Sequence, residues 1–296
     1  MISILIPTYN YKVLSLVSAI HKQLEITNIE YEIRVYDDGS PNPEPENDGI
    51  NNFKNSVYKK LEKNIGRTAI RNLMASEAKY DWVLFLDADV LPKNSNFIES
   101  YVKAISNNNC DVIFGGISYE EVRPIREKIL RWKYGRAREA KSVTLRQKEP
   151  FFIISQNLCI KRSVFLQANT LLENHYGLDN FFSNQLKKMN TKVVHIDNPV
   201  IHFGLEENDK FIKKALKAVE STVILEKKEL MDDDMRPIQK SYLKLKKLHL
   251  SSVFSLIIST FKTTMERNFN SKNPNLFWFD LYRLNYYIKL KKQHNA

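Results

Sequence analysis

Phe85-Leu86-Asp87-Ala88-Asp89-Val90 closes an apolar run that begins at Trp82. The reading of the whole chain turns on this short strand and the two carboxylates at its end. On extended backbone, residues i and i+2 face the same side, so Asp87 and Asp89 are expected to aim at one point just beyond the strand. Two hard oxygen donors placed there suit a divalent cation that also holds a diphosphate. Asp-x-Asp by itself is common in surface loops, so its meaning depends on its surroundings.

Upstream, strand and helix patterns alternate. Ile2–Ile6 reads as a strand, and Lys12–Leu24 carries Val13, Leu16, Val17, Ile20 and Leu24 at helical spacing. Tyr31–Tyr36 alternates as a second strand, Pro41–Gly49 is a Pro/Asn/Gly-rich loop, and Thr68–Lys79 reads as a helix. Downstream, Ser95–Ile105 is a helix and Val112–Phe114 a strand. Such alternation predicts an α/β fold with a mixed, mainly parallel sheet flanked by helices. Ligands of such sheets bind beyond the carboxyl ends of the strands. Three polar clusters fall at those ends: Pro7-Thr8-Tyr9-Asn10, Asp37-Asp38-Gly39-Ser40 and Asp87-Ala88-Asp89.

After Gly116 the pattern loosens. Arg123–Lys141 is basic and helix-compatible, Leu178–Met189 reads as a helix, and Lys192–Ile196 as a strand. Glu206–Lys228 is a long amphipathic helix, and Asp232-Asp233-Asp234-Met235-Arg236-Pro237 punctuates the chain. A body over 1–230 and a helical C-terminal extension over 231–296 are expected.

Length and composition suit one large domain with an appendage: 296 residues, 43% hydrophobic and 27% charged. Cys110 and Cys159 sit in apolar contexts and read as buried thiols of a reduced compartment. No secretory signal and no membrane span are expected. The formal charge of +11 is uneven: from Lys240 to Ala296 eleven Lys/Arg stand against two Asp/Glu, a net of +9. The basicity belongs to the tail. There Tyr242–Phe261 mixes lysines with aliphatic residues, and Leu276–Leu290 is rich in aromatics. Basic residues beside interfacial aromatics suit helices lying in a membrane surface, or else helices packed on the body or a second subunit. So concentrated an apolar content argues against nucleic acid as the partner.

Taken in order, Ile6-Pro7-Thr8-Tyr9-Asn10, Asp37-Asp38-Gly39-Ser40, Asn64-Ile65-Gly66 with Ala69-Ile70-Arg71-Asn72, and Leu86-Asp87-Ala88-Asp89 resemble family 2 glycosyltransferases of the GT-A fold. The resemblance runs from Ile2 to about Gly204 and implies a nucleoside-diphosphate sugar, a UDP-sugar first, at the strand ends. It implies a nucleoside pocket at Pro7 and Tyr9, a base or ribose contact at Asp38 with Asp37 in support, and nucleotide contacts at Arg67 and Arg71. In isolation the same acids suit a turn and helix cap, and the arginines a solvated helix face. Asp87 would hold ribose or donor sugar. Asp89 would hold Mn2+ or Mg2+, with His202 as a second metal ligand, and an imidazole favours Mn2+. The family's base comes from a Gly-x-Glu-Asp segment, matched here by Gly177-Leu178-Asp179-Asn180. An amide cannot take a proton at neutral pH, so Asp179 is the expected base and Asn180 an acceptor- or donor-sugar contact. Asn157 could bind sugar or cap a helix. The implied reaction is inverting transfer to a saccharide or lipid-linked acceptor in polysaccharide or glycoconjugate synthesis, at the cytoplasmic face of a membrane. The alternative is a donor-binding protein of this fold with little or no transferase activity. A sugar-nucleotide pyrophosphorylase would need a Gly-rich basic loop after the first strand, and Pro7-Thr8-Tyr9-Asn10 is not one.

Overall fold

Ile2–Thr8 forms β1, and its largely apolar run, broken only by the buried Ser3, is buried on both faces, as a central strand of a covered parallel sheet requires. The computed structural model describes residues 1–107, 109–171 and 179–295. The other strands are β2 (Tyr31–Asp37), β3 (Ser56–Lys60), β4 (Trp82–Leu86), β5 (Val90–Pro92), β6 (Val112–Phe114), β7 (Ile117–Ser118), β8 (Asn157–Lys161), β9 (Val193–His195) and β10 (Val200–His202). Seven form one sheet in the order β3-β2-β1-β4-β8-β6-β9. All its pairings are parallel except those of β8, which runs against β4 and β6. A small second sheet has the order β5-β10-β7.

The early helices are α1 (Leu14–Ile26), α2 (Arg67–Glu77) and α3 (Phe97–Asn107), followed by α4 (Ile129–Tyr134), α5 (Val143–Lys148), α6 (Arg162–Ala168) and α7 (Asp179–Lys188). The later ones are α8 (Asn208–Lys227), α9 (Pro237–Lys247), α10 (Ser251–Thr260), α11 (Lys262–Phe269) and α12 (Leu276–Asn295). The stripe Leu16, Val17, Ile20 and Leu24 of α1 joins β1, β2 and β4 in one core with Phe97, Ile98 and Tyr101 of α3. Cys110 and Cys159 are buried free thiols.

The chain divides into two compact units. The first comprises residues 1–120, 139–174 and 185–204, and the second residues 121–138, 175–184 and 205–296. The second unit has its own core. Phe211, Ile212 and Ala215 of α8 pack with Leu130, Ile258, Met265, Phe269 and Phe279. A neighbouring cluster joins Val219 and Val223 to Tyr242, Leu284, Tyr287 and Ile288. The aromatics expected at a membrane in 276–290 thus largely serve this interior: Phe279 and Tyr287 are buried, and Trp278, Tyr282 and Tyr286 pack partly buried beside them.

Other departures have local causes. Arg123–Lys141 is broken into a 3-10 turn, α4 and a π-turn rather than one helix. Tyr242–Phe261 is two helices, because His249 turns left-handed (φ 57°) and ends α9. β3 is a half-exposed edge strand with Lys59 and Lys60, so it lacks the apolar alternation that would announce it.

Candidate active site

The parallel strands β1, β2 and β4 end side by side, and their loops are tied to one another. Asp38 N–H donates to Thr8 O at 2.9 Å. Asn10 N–H donates to Ser40 Oγ at 2.7 Å, and Ser40 N–H to Asp37 Oδ1 at 2.7 Å. The other oxygen of Asp37 accepts from Tyr58 OH at 3.1 Å. Asp37 is therefore a buried strut of the loop pair. Asp38 reaches the other way, its oxygens accepting Ile65 N–H at 2.7 Å and Gly66 N–H at 3.0 Å. Burial pushes its carboxyl up, the two N–H groups pull it down, and nearby Asp37 pushes it up again, leaving it above the usual aspartate range. This latch holds Gly66 at φ 90°, ahead of the first turn of α2, a backbone state open to glycine and strained for other residues.

The loops enclose a cleft of about 350 Å³ whose walls include Pro7, Tyr9, Asp38, Arg67, Arg71, Asp87 and Asp89. Asp37, Asn157 and His202 are not on those walls. Tyr9 and Tyr11 leave their rings exposed beside it.

β4 ends at Leu86, and Asp87–Asp89 lies in the turn beyond. Strand geometry therefore does not govern the two carboxylates, and each has its own partners. Asp87 is clamped by two arginines: Arg71 Nη2 pairs closely with Oδ1, and Arg67 Nη2 lies 3.2 Å from Oδ2. Burial pushes the Asp87 carboxyl up, but the Arg67 and Arg71 guanidiniums, helped by His202, hold it below the usual range. Arg67 also donates to Ser155 Oγ at 3.0 Å.

Asp89 faces the second sheet. β10 pairs antiparallel with β5 and sets His202 opposite Val90, while Phe203 N–H donates to Asp89 O at 2.9 Å. His202 Nε2 then sits 3.1 Å from Asp89 Oδ2. The imidazole is buried, its Nδ1 makes no hydrogen bond, and the Tyr119 ring stands edge-on to it at 5.5 Å. Tyr119 is fixed in turn by a close hydrogen bond from its hydroxyl to Glu139. Backbone also comes close: a Cβ on Gly204 would lie 1.8 Å from Asp89 Oδ2 and 2.9 Å from His202 Nε2. Among the described residues, no group of three His, Cys, Asp or Glu side chains is placed to hold a metal ion.

The remaining candidates lie elsewhere. Asn157 is fully buried, its amide donating to Gly116 O and Asn198 O and accepting from Tyr101 OH at 2.7 Å. It braces the sheet. Asp179 and Asn180 open α7 in the second unit, and Tyr176–Leu178, the rest of their motif, lies outside the described residues. Burial and Arg283 push the Arg236 guanidinium down to about 10, against the pull of Tyr134, Asp179 and Glu226. Tyr11, Tyr119 and Gly204 escaped the sequence reading. Tyr11 repeats the aromatic of Tyr9 two positions on, a signal that could have been used, whereas Tyr119 and Gly204 reach the site only through pairing in the second sheet.

A search of curated proteins finds no match. The fold is similar to that of the mannosyltransferase PcManGT from Pyrobaculum calidifontis, solved with GDP-Man and Mn2+ (TM-score 0.61, 14% identity, 100% of this chain and 87% of that one). It is also similar to glucosyl-3-phosphoglycerate synthase from Mycobacterium tuberculosis, solved with Mg2+ and UDP (TM-score 0.54, 13% identity, 79% and 81% covered). A third is S. aureus TarS 1-349 in complex with UDP-GlcNAc (TM-score 0.53, 16% identity, 99% and 91% covered). Against a longer TarS crystal structure the match spans 74% of this chain but 39% of that one. The sequence model of glycosyl transferase family 2 matches residues 3–166, more than half of the chain. The chain therefore belongs to glycosyl transferase family 2 and is a glycosyltransferase of the GT-A fold.

Proposed function

We propose that this enzyme moves a sugar from a nucleoside-diphosphate sugar to an acceptor hydroxyl, with inversion and with the help of a divalent cation. The observation that carries the reading is the Asp89–His202 pair beside a cleft whose side chains carry no surplus of positive charge. On its walls Arg67 and Arg71 face three carboxylates, Asp38, Asp87 and Asp89, and a diphosphate entering such a cleft needs positive charge that the side chains do not supply.

The residues present fit a metal. A carboxylate oxygen and an imidazole nitrogen converge at 3.1 Å, Gly204 lets Asp89 Oδ2 occupy the space that a Cβ would fill, and an O/N donor pair suits Mn2+ or Mg2+. Asp89 and His202 would hold the ion, with the donor's own oxygens completing the set. When bound, the ion supplies Lewis-acid stabilisation of the departing diphosphate. Pro7 and Tyr9 offer an apolar, aromatic wall for the nucleoside, and Asp38 shapes it by fixing the Ile65–Gly66 backbone. Arg67, half-exposed, is the guanidinium that can reach the donor while still bracing Asp87.

On the acceptor side, Asp179 is assigned as base. The acceptor oxygen attacks the anomeric carbon, the bond from that carbon to the diphosphate breaks, and the hydroxyl proton passes to Asp179. The acceptor is a saccharide or a lipid-linked saccharide, the latter met at the cytoplasmic face of a membrane. A second reading, donor binding with little transfer, is favoured by Asn180, an amide where the family carries an acid.

The test is nucleotide release from UDP-, GDP- and dTDP-sugars with Mn2+, comparing wild type with Asp89→Asn and Asp179→Asn. Metal-dependent release with one donor, lost in Asp89→Asn, is expected. Loss in Asp179→Asn with donor binding retained assigns the base. Nucleotide binding without release, with acceptor saccharides supplied, would sink the transferase reading in favour of the second.

A further inference from the structure

The second unit carries one helix that is apolar on two sides. The inward side of α10 presents Phe254, Ser255 and Ile258, and Phe254 packs against both aromatic clusters of the unit. The outward side presents Val253, Leu256 and Ile257, which are 53%, 70% and 50% exposed. Their i, i+3, i+4 spacing makes them a single stripe. Leu250 before the helix and Phe261 after it, 46% and 54% exposed, extend the stripe at both ends. Isolated apolar residues on a surface need no explanation, but a contiguous row marks an interaction site.

The charge around the row identifies the partner. No acidic residue occurs between Asp234 and Glu266, whereas five lysines do: Lys240, Lys244, Lys246, Lys247 and Lys262. All five are exposed. A second copy of the same face would bring like charges together, which opposes self-association. α10 is ten residues long, about 15 Å and half a bilayer core, and among the described residues no helix is long and apolar enough to cross a membrane.

We infer that the outward face of α10 and its lysine rim dock the protein on an anionic phospholipid bilayer, with the helix lying in the interface. Leu256, Ile257 and Val253 enter the acyl boundary and the lysines stay among the headgroups. The anchor is this face, and the aromatic segment 276–290 supports it from behind.

Flotation of the full chain with phosphatidylcholine vesicles, with and without phosphatidylglycerol, tests the inference. Binding that requires phosphatidylglycerol is expected. Each lysine near an anionic surface is worth about fivefold in partitioning, so Lys244→Gln/Lys246→Gln/Lys247→Gln should weaken binding about 100-fold. Leu256→Ser/Ile257→Ser should weaken it at least as much, with unchanged circular dichroism and unchanged nucleotide release in solution. Absence of vesicle binding, or binding that neither variant alters, would overturn the inference. So would a dimer in sedimentation that the Leu256→Ser/Ile257→Ser variant disperses, because the face would then be a subunit contact. No donor is present in the flotation, so this result and that of the transferase assay fail independently.

Discussion

Asp87 and Asp89 belong to one short motif, yet the structure gives them different partners, and Asp87→Asn separates the two. The Asp87 side chain is 15% exposed and pairs with Arg71, itself 7% exposed, and with Arg67, 48% exposed. Breaking a buried ion pair by removing one charge costs about 3–5 kcal/mol, while a pair with a half-exposed partner contributes at most about 1 kcal/mol. The amide keeps one oxygen that can accept from Arg71, which recovers the part of the loss due to a missing hydrogen bond, about 1 kcal/mol. The expected net cost is therefore about 2–5 kcal/mol. At about 2–4 °C per kcal/mol for domains near this size, the metal-free protein should melt about 4–20 °C lower. Asp89→Asn is the control: Asp89 is more exposed and lies 3.1 Å from a single imidazole, so its cost should stay below about 1 kcal/mol. Calorimetry of both variants without metal or nucleotide, followed by donor binding with Mn2+, is the assay. Asp89→Asn should keep its melting temperature and lose metal-dependent donor binding. An Asp87→Asn protein that melts with the wild type would refute the claim that this carboxylate is needed to accommodate a buried guanidinium.

Two other substitutions probe the neighbouring geometry. Gly204→Ala places a methyl where Asp89 Oδ2 now sits; that oxygen can swing aside at little cost in stability, but the Mn2+ needed for half-maximal activity should rise about 10–100-fold, and an unchanged metal titration would contradict the assigned pair. Phe279→Ala removes a fully buried ring stacked among Phe211, Phe269 and Tyr134; a loss of about 3–5 kcal/mol in urea unfolding is expected, and a loss under about 1 kcal/mol would mean that α12 does not belong to this core.

The sheet was legible because its edge repeats one arrangement three times. An apolar strand running into a polar, turn-forming cluster is a local pattern, and parallel order makes local patterns at successive strand ends into neighbours. The same logic gave the Asp37–Asp38 cluster, and the family resemblance gave Arg71, but neither said what Asp38 and Arg71 touch. Asp38 was assigned to the nucleoside, and its oxygens hold the Ile65–Gly66 backbone as well. The Asp87–Asp89 argument assumed a strand that had already ended at Leu86. Asn157 was given either a sugar or a helix to cap, and it holds Gly116, Asn198 and Tyr101. A buried amide and an amide lining a pocket look alike in sequence: Asn157 stands between polar Ser155-Gln156 and apolar Leu158-Cys159-Ile160, a setting that suits either. The second sheet was illegible for a simpler reason: strands of two or three residues carry no period, so nothing announced that His202, Tyr119 and Gly204 would meet Asp89. In the tail, composition revealed basic and apolar content, but not which segment turned inward. Only the packing of Phe279 and Tyr287 against α8 leaves the α10 face outside.

The overall charge of +11 invites the thought that a basic protein binds an anionic donor through its basicity, and the geometry argues the reverse. In the cleft, the two arginines are occupied by Asp87, which they hold in its charged form, and Asp38 and Asp89 outweigh what is left. A nucleoside diphosphate gains little there from the protein's formal charge, because charges further away than about 8–10 Å are screened at moderate salt. Affinity must come from contacts inside that radius, which is why a paired carboxylate and imidazole matter more than the lysines around α10. The lysines face the opposite situation: no acid lies between Asp234 and Glu266, Glu266 itself pairs only with Lys262 among them, at 3.7 Å, and an extended anionic surface is the kind of partner that many separated cations can meet at once. On the proposed readings one chain carries two electrostatic designs: a cleft without surplus positive charge, for a divalent cation and its diphosphate, and an unbalanced helix rim, for a surface. Salt should weaken the second far more than the first.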